Sequence, residues 1–306
     1  HGFHIVIHSE ERFNGEIRGQ VMPIGQNNLS IVMNDIQTKK GNITGYKAYL
    51  DAVQFDDQIS FSGSLLDSIP GLSADALSLK GGLPGKTGSE VLQLTMDQDE
   101  NANYTAVYPN ANTYTIDETL LQNMFDRLTY MDISDSAGDE VIRGQVIPTL
   151  QSIYYVPLSD RQTLHHQNSD ASGMMIIEQH NDSEIRVIGS FANLGSDLDD
   201  NITGNILLHE GKYGVEGPAF RALAAVVDTD ERGGEILAED NIFSIQNSKA
   251  DSLQISGLYV SVNTVDVSDG EIRGQILELA DAYFNTRLHA TNVVTSSIAS
   301  GKGQLL

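Results

Sequence analysis

Histidines and carboxylates are the side chains in this sequence whose spacing invites chemistry. His1, His4 and His8 form the densest imidazole group. His4 and His8 are four residues apart on one face of an alternating segment, and an amino-terminal histidine chelates copper through its amine and ring. Three acidic groups, Asp97, Asp99 and Glu100, then Asp197, Asp199 and Asp200, then Asp228, Asp230 and Glu231, set hard oxygen ligands close together in polar stretches, which suits Ca2+. None has EF-hand spacing. No cysteine is present, so disulfides, thiolate ligands and cysteine nucleophiles are excluded. No nucleophile elbow, Walker loop or zincin helix occurs, and Gly81-Gly82-Leu83-Pro84-Gly85 reads as a turn. These observations point away from an enzyme and make Ca2+ the one cofactor to expect.

The elements that must position these residues repeat. Gly15-Glu16-Ile17-Arg18-Gly19-Gln20 returns as Glu140-Val141-Ile142-Arg143-Gly144-Gln145 and again as Gly270-Glu271-Ile272-Arg273-Gly274-Gln275. A recurrence at about 125 to 130 residues marks tandem domains, because a solenoid unit is far shorter. An arginine fork at one place in each copy suits tying carbonyls or a carboxylate together, so Arg18, Gly19, Gln20, Arg143, Gly144, Gln145, Arg273, Gly274 and Gln275 are expected to form a structural motif. Short alternating segments separated by Gly, Asn and Asp turns fill the rest: 29–33, 45–50, 58–63 and 90–94 in one copy, 153–158, 173–177 and 185–190 in the next. Residues 117–127 read as a helix with Asp117 as its N-cap. Gly173 stands 128 residues after Gly45 and Gly301 a further 128 on, which sets the register between copies. The pattern predicts an all-β chain of tandem antiparallel Greek-key sandwiches with separate cores stacked end to end.

The net charge of −24 repels nucleic acid and anionic lipid, and no apolar run reaches the length of a membrane-spanning helix, so neither nucleic-acid binding nor membrane insertion is expected. Sequons at Asn28, Asn42, Asn103, Asn181 and Asn201 offer sites for glycans.

Tyr259-Val260-Ser261-Val262-Asn263-Thr264 followed by Gly270-Glu271-Ile272-Arg273-Gly274-Gln275 resembles the signature of the CHRD domain, named after chordin and found also in bacterial and archaeal surface proteins. The glycine-rich stretches 80–88 and 209–218 resemble that family's His-x-His-x-Gly-x-x-Gly-x-x-Gly-Pro segment. The resemblance implies an extracellular β-sandwich, usually in tandem and without an established enzymatic activity, and in chordin a part in growth-factor antagonism. This chain departs from the pattern. Ser78 and Lys80, then Leu207 and His209, stand at the loop-histidine positions, while His8, Ile133 and Asn263 align on a later strand. Chemistry needing both sets of imidazoles is therefore missing from the complete domains.

On this reading residues 1–23 hold the last strands of a CHRD-like domain, 24–148 and 149–279 are complete domains, and 280–306 begins another. The expected role is an extracellular structural or adhesive protein of the cell surface or matrix, part of a filament or tandem array, its partners further copies joined head to tail by strand complementation. The alternatives are a secreted binding module for a protein or polysaccharide, presenting aromatics such as Tyr154, Tyr155 and Tyr213, and a copper-binding protein.

Overall fold

A computed structural model describes residues 4–7, 17–20, 27–38, 44–148, 152–165, 168–181, 183–199, 204–278, 286–289 and 302–305. Among the described residues the fold is all-β, with two curled antiparallel sheets of eleven strands each and two separate two-stranded sheets. The first sheet runs, neighbour to neighbour, Glu90–Leu94, Leu77–Gly81, Thr129–Ser134, Glu140–Gln145, Asn27–Asn34, Lys47–Phe55, Gln58–Leu65, Tyr104–Val107 and Asp97–Gln98. The second has the same order: Ala219–Ala222, Ile206–Glu210, Leu258–Val262, Ile272–Gln275, Ser152–Ser159, Ser172–Asn181, Glu184–Ala192, Gly234–Ile236 and Val226–Val227. One short helix follows in each, Glu118–Phe125 and Asn247–Gln254. Asp117 caps the first, accepting the Leu120 amide at 2.7 Å.

The two ends of each sheet belong to one stretch of chain. Only Thr95 and Met96 separate Glu90–Leu94 from Asp97–Gln98, so the backbone turns a corner there from one end of the curled sheet to the other. Asn112, fully buried, holds that corner: its Oδ1 accepts from Thr95 N at 2.7 Å, and its Nδ2 donates to Thr95 O and Tyr108 O. Asn241 does the same for Ala224, with Leu237 O as its third partner.

The pairing corrects the register read from glycine identity. Asn34 and Ser159 are the residues facing Arg143 and Arg273, and Met33 faces Ala48 as Leu158 faces Gly173. The offset here is 125 residues rather than 128. Gly45 sits in a left-handed turn before its strand (φ +75°), whereas Gly173 lies within one, so the two glycines do different jobs. Likewise Ser134, not Ile133, matches Asn263: their amides bond the equivalent carbonyls of Ala76 and Asn205.

Each sheet encloses its own core, around Ile31, Leu50 and Phe61 in the first and Val156, Met175 and Phe191 in the second. The expectation of fully separate cores fails in one respect, because a third apolar cluster joins the units. Leu83 and Ile147 of the first pack with Tyr155, Met174, Ile176, Ile188 and Ala238 of the second. This explains the unbroken run Met174-Met175-Ile176-Ile177: alternate residues face the second core and the first unit, as in a strand buried on both faces. In the first unit the corresponding outer face carries Tyr49, 41 % exposed, Asp51 and Ser62.

A buried ion pair closes the junction. Arg127 Nε and Nη2 donate to the two oxygens of Glu178, each at 2.8 Å, with Arg186 Nη1 at 3.6 Å and His180 Nε2 at 3.5 Å from the same carboxylate. Glu178 is wholly buried. Lys86 lies 3.9 Å from Asp228 and 3.7 Å from Glu235, and Ser190 donates to Pro84 O. Removing one member of such a pair strands the other charge away from water. Glu178→Ala is therefore expected to lower stability by about 3–5 kcal/mol in chemical denaturation. A loss under about 1 kcal/mol would mean the pair does not hold the junction.

Candidate functional site

The repeated Ile-Arg-Gly-Gln segment lies on a central strand of each sheet, and each of its residues has a distinct task. Ile142 and Ile272 fill the cores. Gly144 and Gly274 let the neighbouring strand come close, since a Cβ would stand 2.6 Å from Val32 O and 2.8 Å from Pro157 O. Arg143 lies 3.4 Å from the centroid of the Tyr130 ring and donates to Lys86 O and Leu83 O at 2.7 and 2.8 Å. Arg273 lies 3.5 Å from the Tyr259 centroid and donates to Val215 O and Lys212 O, both at 3.0 Å. Burial, above all, pulls both guanidinium groups below the ordinary arginine value. The two arginines thus pin the glycine-rich loops onto a tyrosine. From the other side, Gly88 N and Gly217 N donate to the same tyrosine hydroxyls, both at 3.2 Å. Neither glycine has room for a Cβ, which would overlap the carbonyl of Gly81 or Glu210.

Gln145 and Gln275 complete the frame. Their side chains donate to Gly82 O and Arg127 O, and to Gly211 O, Ser256 O and Leu258 O. Their amides donate to Gln37 Oε1 and Gln162 Oε1. Those acceptors belong to a second repeat that the sequence reading missed, Asp35-Ile36-Gln37-Thr38 and Asp160-Arg161-Gln162-Thr163. In each, the threonine hydroxyl returns to the aspartate carbonyl at 2.6 Å, and the aspartate carboxylate caps the following loop at Thr44 and Gly45 or at Ser169. Asp-x-Gln-Thr recurring at 125 residues was the available signal. Arg18, Gly19 and Gln20 lie on the strand Ile17–Gln20, where Gln20 faces His4 as Gln275 faces Tyr259.

The units diverge beside the clamp. In the first, Lys80 Nζ donates to Asp132 at 2.7 Å, and Ser78 and Ser134 also donate to that carboxylate. Burial acts against the Lys80 charge, but the hydrogen bond and charge of Asp132 outweigh it and its pKa is raised. In the second, His209 occupies the place of Lys80 and Ser261 that of Asp132. The imidazole stacks on Tyr259 with centroids 4.6 Å apart, Nδ1 is 2.9 Å from Gly217 O, and Nε2 is 2.9 Å from Ser261 Oγ. Both residues lie on strands rather than in the loops to which the sequence reading assigned this position.

The candidate metal ligands fare differently. Among the described residues no group of three or more His, Asp or Glu side chains is placed to hold a metal ion. Asp99 spends its carboxylate on its own turn, accepting from Asn101 N, Asn103 N and Asn103 Nδ2, so it does not gather with Asp97 and Glu100. Asp197 pairs with Arg232 at 3.4 Å, and Asp199 is buried; Asp200 lies outside the described residues. Asp228 lies 3.9 Å from Lys86, while Asp230 caps the Arg232 amide beside Glu231, which has φ +57°. His1 and His8 also lie outside the described residues, and His4 is on the strand His4–Ile7. Tyr154 and Tyr155, expected at an exposed patch, are 1 % and 2 % exposed and belong to the second core and the junction.

Two measurements test this frame. Lysine reaches one carbonyl where the guanidinium reaches two, so Arg273→Lys is expected to destabilise the protein by about 3 kcal/mol in urea titration. Unchanged stability would show that the loop holds without the clamp. Burial first, then the Arg273 charge, depress the His209 pKa below its ordinary 6.5, against the Gly217 carbonyl and Glu216. The unfolded chain then binds the extra proton, so this contribution to stability is whole above about pH 6.5 and is lost as pH falls from there through the lower folded-state value. His209→Gln should flatten that part of the stability–pH curve. A curve of the same shape as wild type would locate the dependence elsewhere.

Residues 154–276 match the CHRD domain family. Comparison with curated proteins and with solved structures finds no match. The CHRD segment spans the second unit's clamp, loop and His209, and CHRD domains occur in secreted or extracellular proteins. Among the described residues no helix is long and apolar enough to cross a membrane.

Proposed function

We propose that this CHRD-containing chain is an extracellular structural or adhesive protein, built from CHRD-like units in series and assembling with further copies of the same unit. The observation that carries this reading is a pairing register. The strands His4–Ile7 and Ile17–Gln20 pair His4 with Gln20, Ile5 with Gly19, Val6 with Arg18 and Ile7 with Ile17. The second unit pairs Tyr259 with Gln275, Val260 with Gly274, Ser261 with Arg273 and Val262 with Ile272. The short strand pair thus reproduces the inner strand pairing of a whole unit. In each whole unit the strand carrying the motif also pairs with the unit's opening strand, as Arg273 pairs with Ser159. A strand like Ile17–Gln20 is therefore made to receive an opening strand, and strand complementation between units is the corresponding joint. The net charge of −24 keeps long assemblies soluble and gives calcium carboxylates to bridge.

One observation favours a second reading, a binding module for a protein or polysaccharide. Tyr49 and Phe55, 41 % and 39 % exposed, lie on one face of the strand Lys47–Phe55 in the first unit, where the second unit has its covered junction.

Electron microscopy of the native protein, with calcium and after chelation, separates these readings. Filaments or long rods are expected, shortened or disordered by chelation where calcium bridges the units. Discrete monomers under both conditions would overturn assembly and leave the binding module.

A further inference from the structure

We propose that the strand Thr286–His289 of one copy pairs antiparallel with Ile17–Gln20 of a second copy, His289 opposite Arg18, so that two copies together build the centre of one unit. This names the partner strand and register of the joint in the assembly reading, and it rests on that reading.

Each half is identified by its register. Leu288 pairs with Gly303 and His289 with Lys302. Leu158 pairs with Gly173 and Ser159 with Ser172 in the second unit, as Met33 pairs with Ala48 and Asn34 with Lys47 in the first. The connection between the partners is equally long in all three. Thr286–His289 and Lys302–Leu305 are therefore the opening strand pair of a unit, with His289 in the place of Ser159 and Asn34. Ile7 pairs with Ile17 across a connection as long as that between Val262 and Ile272. His4–Ile7 and Ile17–Gln20 are accordingly the inner pair, with Arg18 in the place of Arg273.

A whole unit joins these two pairs in one way. Arg273 faces Ser159 in the second unit and Arg143 faces Asn34 in the first, which makes the inner and opening pairs four consecutive strands of one sheet. Among the described residues, Ile17–Gln20 and Thr286–His289 lie instead in separate two-stranded sheets, each pairing on one side only. Such an edge is a template for another strand. Carrying the unit's register across the joint sets Arg18 against His289, Gly19 against Leu288 and Gln20 against Arg287. A slip of one residue would turn every side chain of one strand to the other face, so the register is specific. Both whole units stand between the two pairs in the chain. The pairing is accordingly between copies, a head-to-tail contact that propagates.

The test is hydrogen exchange on the full wild-type chain over a range of protein concentrations, read beside the oligomeric state from analytical ultracentrifugation. The amides of Ile17–Gln20 and Thr286–His289 are expected to slow together as copies associate, because both strands gain a ladder in one step. Residues opposite each other in an antiparallel pair stand about 4.5 to 5.5 Å apart at Cα, within disulfide reach. The chain has no cysteine of its own. Arg18→Cys combined with His289→Cys should therefore give, on oxidation, a ladder of covalent oligomers joined 18 to 289 by peptide mapping. Association without slowed exchange in these two strands would overturn this joint and leave assembly through another surface standing. Slow exchange independent of concentration, or an 18–289 bridge within a single chain, would overturn it as well. Chains that stay monomeric would overturn both the joint and the assembly reading. The exchange measurement needs no substitution, so it decides the question should the double variant fail to associate.

Discussion

An arginine guanidinium laid on a tyrosine ring and satisfied by two backbone carbonyls is the fixed point of each unit. Arg143 and Arg273 are buried charges, tolerable because a tyrosine ring covers one face of the fork and loop carbonyls take both terminal nitrogens. The loops owe their shape to this contact. A loop with this many glycines has a large conformational entropy to lose, and the clamp acts where that loss is greatest. The adjoining glutamine binds the start of the same loop and the turn after the helix, so one strand fixes two otherwise independent segments.

The junction between the units follows from the clamp. Leu83, whose carbonyl Arg143 binds, also sits in the apolar cluster against Met174 and Ile176, and Pro84 O accepts from Ser190. Arg127, whose carbonyl Gln145 holds, turns its guanidinium onto Glu178. The residues that organise the first unit internally therefore present its contact surface as well. A wholly buried carboxylate is a poor source of net stability but a source of specificity, because any other docking costs Glu178 its two-point partner Arg127. Apolar contact supplies the attraction at this junction, and the ion pair selects the orientation.

Much of this was legible in sequence because it is periodic. Strand alternation gave the all-β class, the Ile-Arg-Gly-Gln repeat marked the units, and Asp117 marked its helix. What was missed depended on pairing partners distant in sequence. Asp-x-Gln-Thr recurs but is too short and polar to stand out, and its meaning appears only when Gln37 and Gln162 meet amides more than 100 residues away. The 128-residue register failed because glycine identity is a weak guide: one glycine serves a turn and the other a strand. Tyr154 and Tyr155 misled in the opposite sense, because a double aromatic in a polar chain suggests a surface patch, whereas Tyr154 fills its own unit's core and the neighbouring unit covers Tyr155. Arg127 and Glu178 carry no local pattern.

The contrast between Lys80–Asp132 and His209–Ser261 shows how one frame carries different chemistry. Both pairs cross the equivalent strands beside the clamp, and in both one partner, Asp132 or Ser261, is buried while the other, Lys80 or His209, is part-exposed. In the first unit the partners are oppositely charged, so their attraction offsets desolvation, and the bond is a crosslink that serine hydroxyls reinforce. In the second the partners are neutral, and desolvation removes the imidazole proton rather than being compensated by a counter-charge. The frame tolerates either solution because the clamp and the glutamine hold the loop in both units, and His209 adds a single contact, to Gly217 O. A position that shares its structural load in this way is where the two units of a repeated fold can diverge.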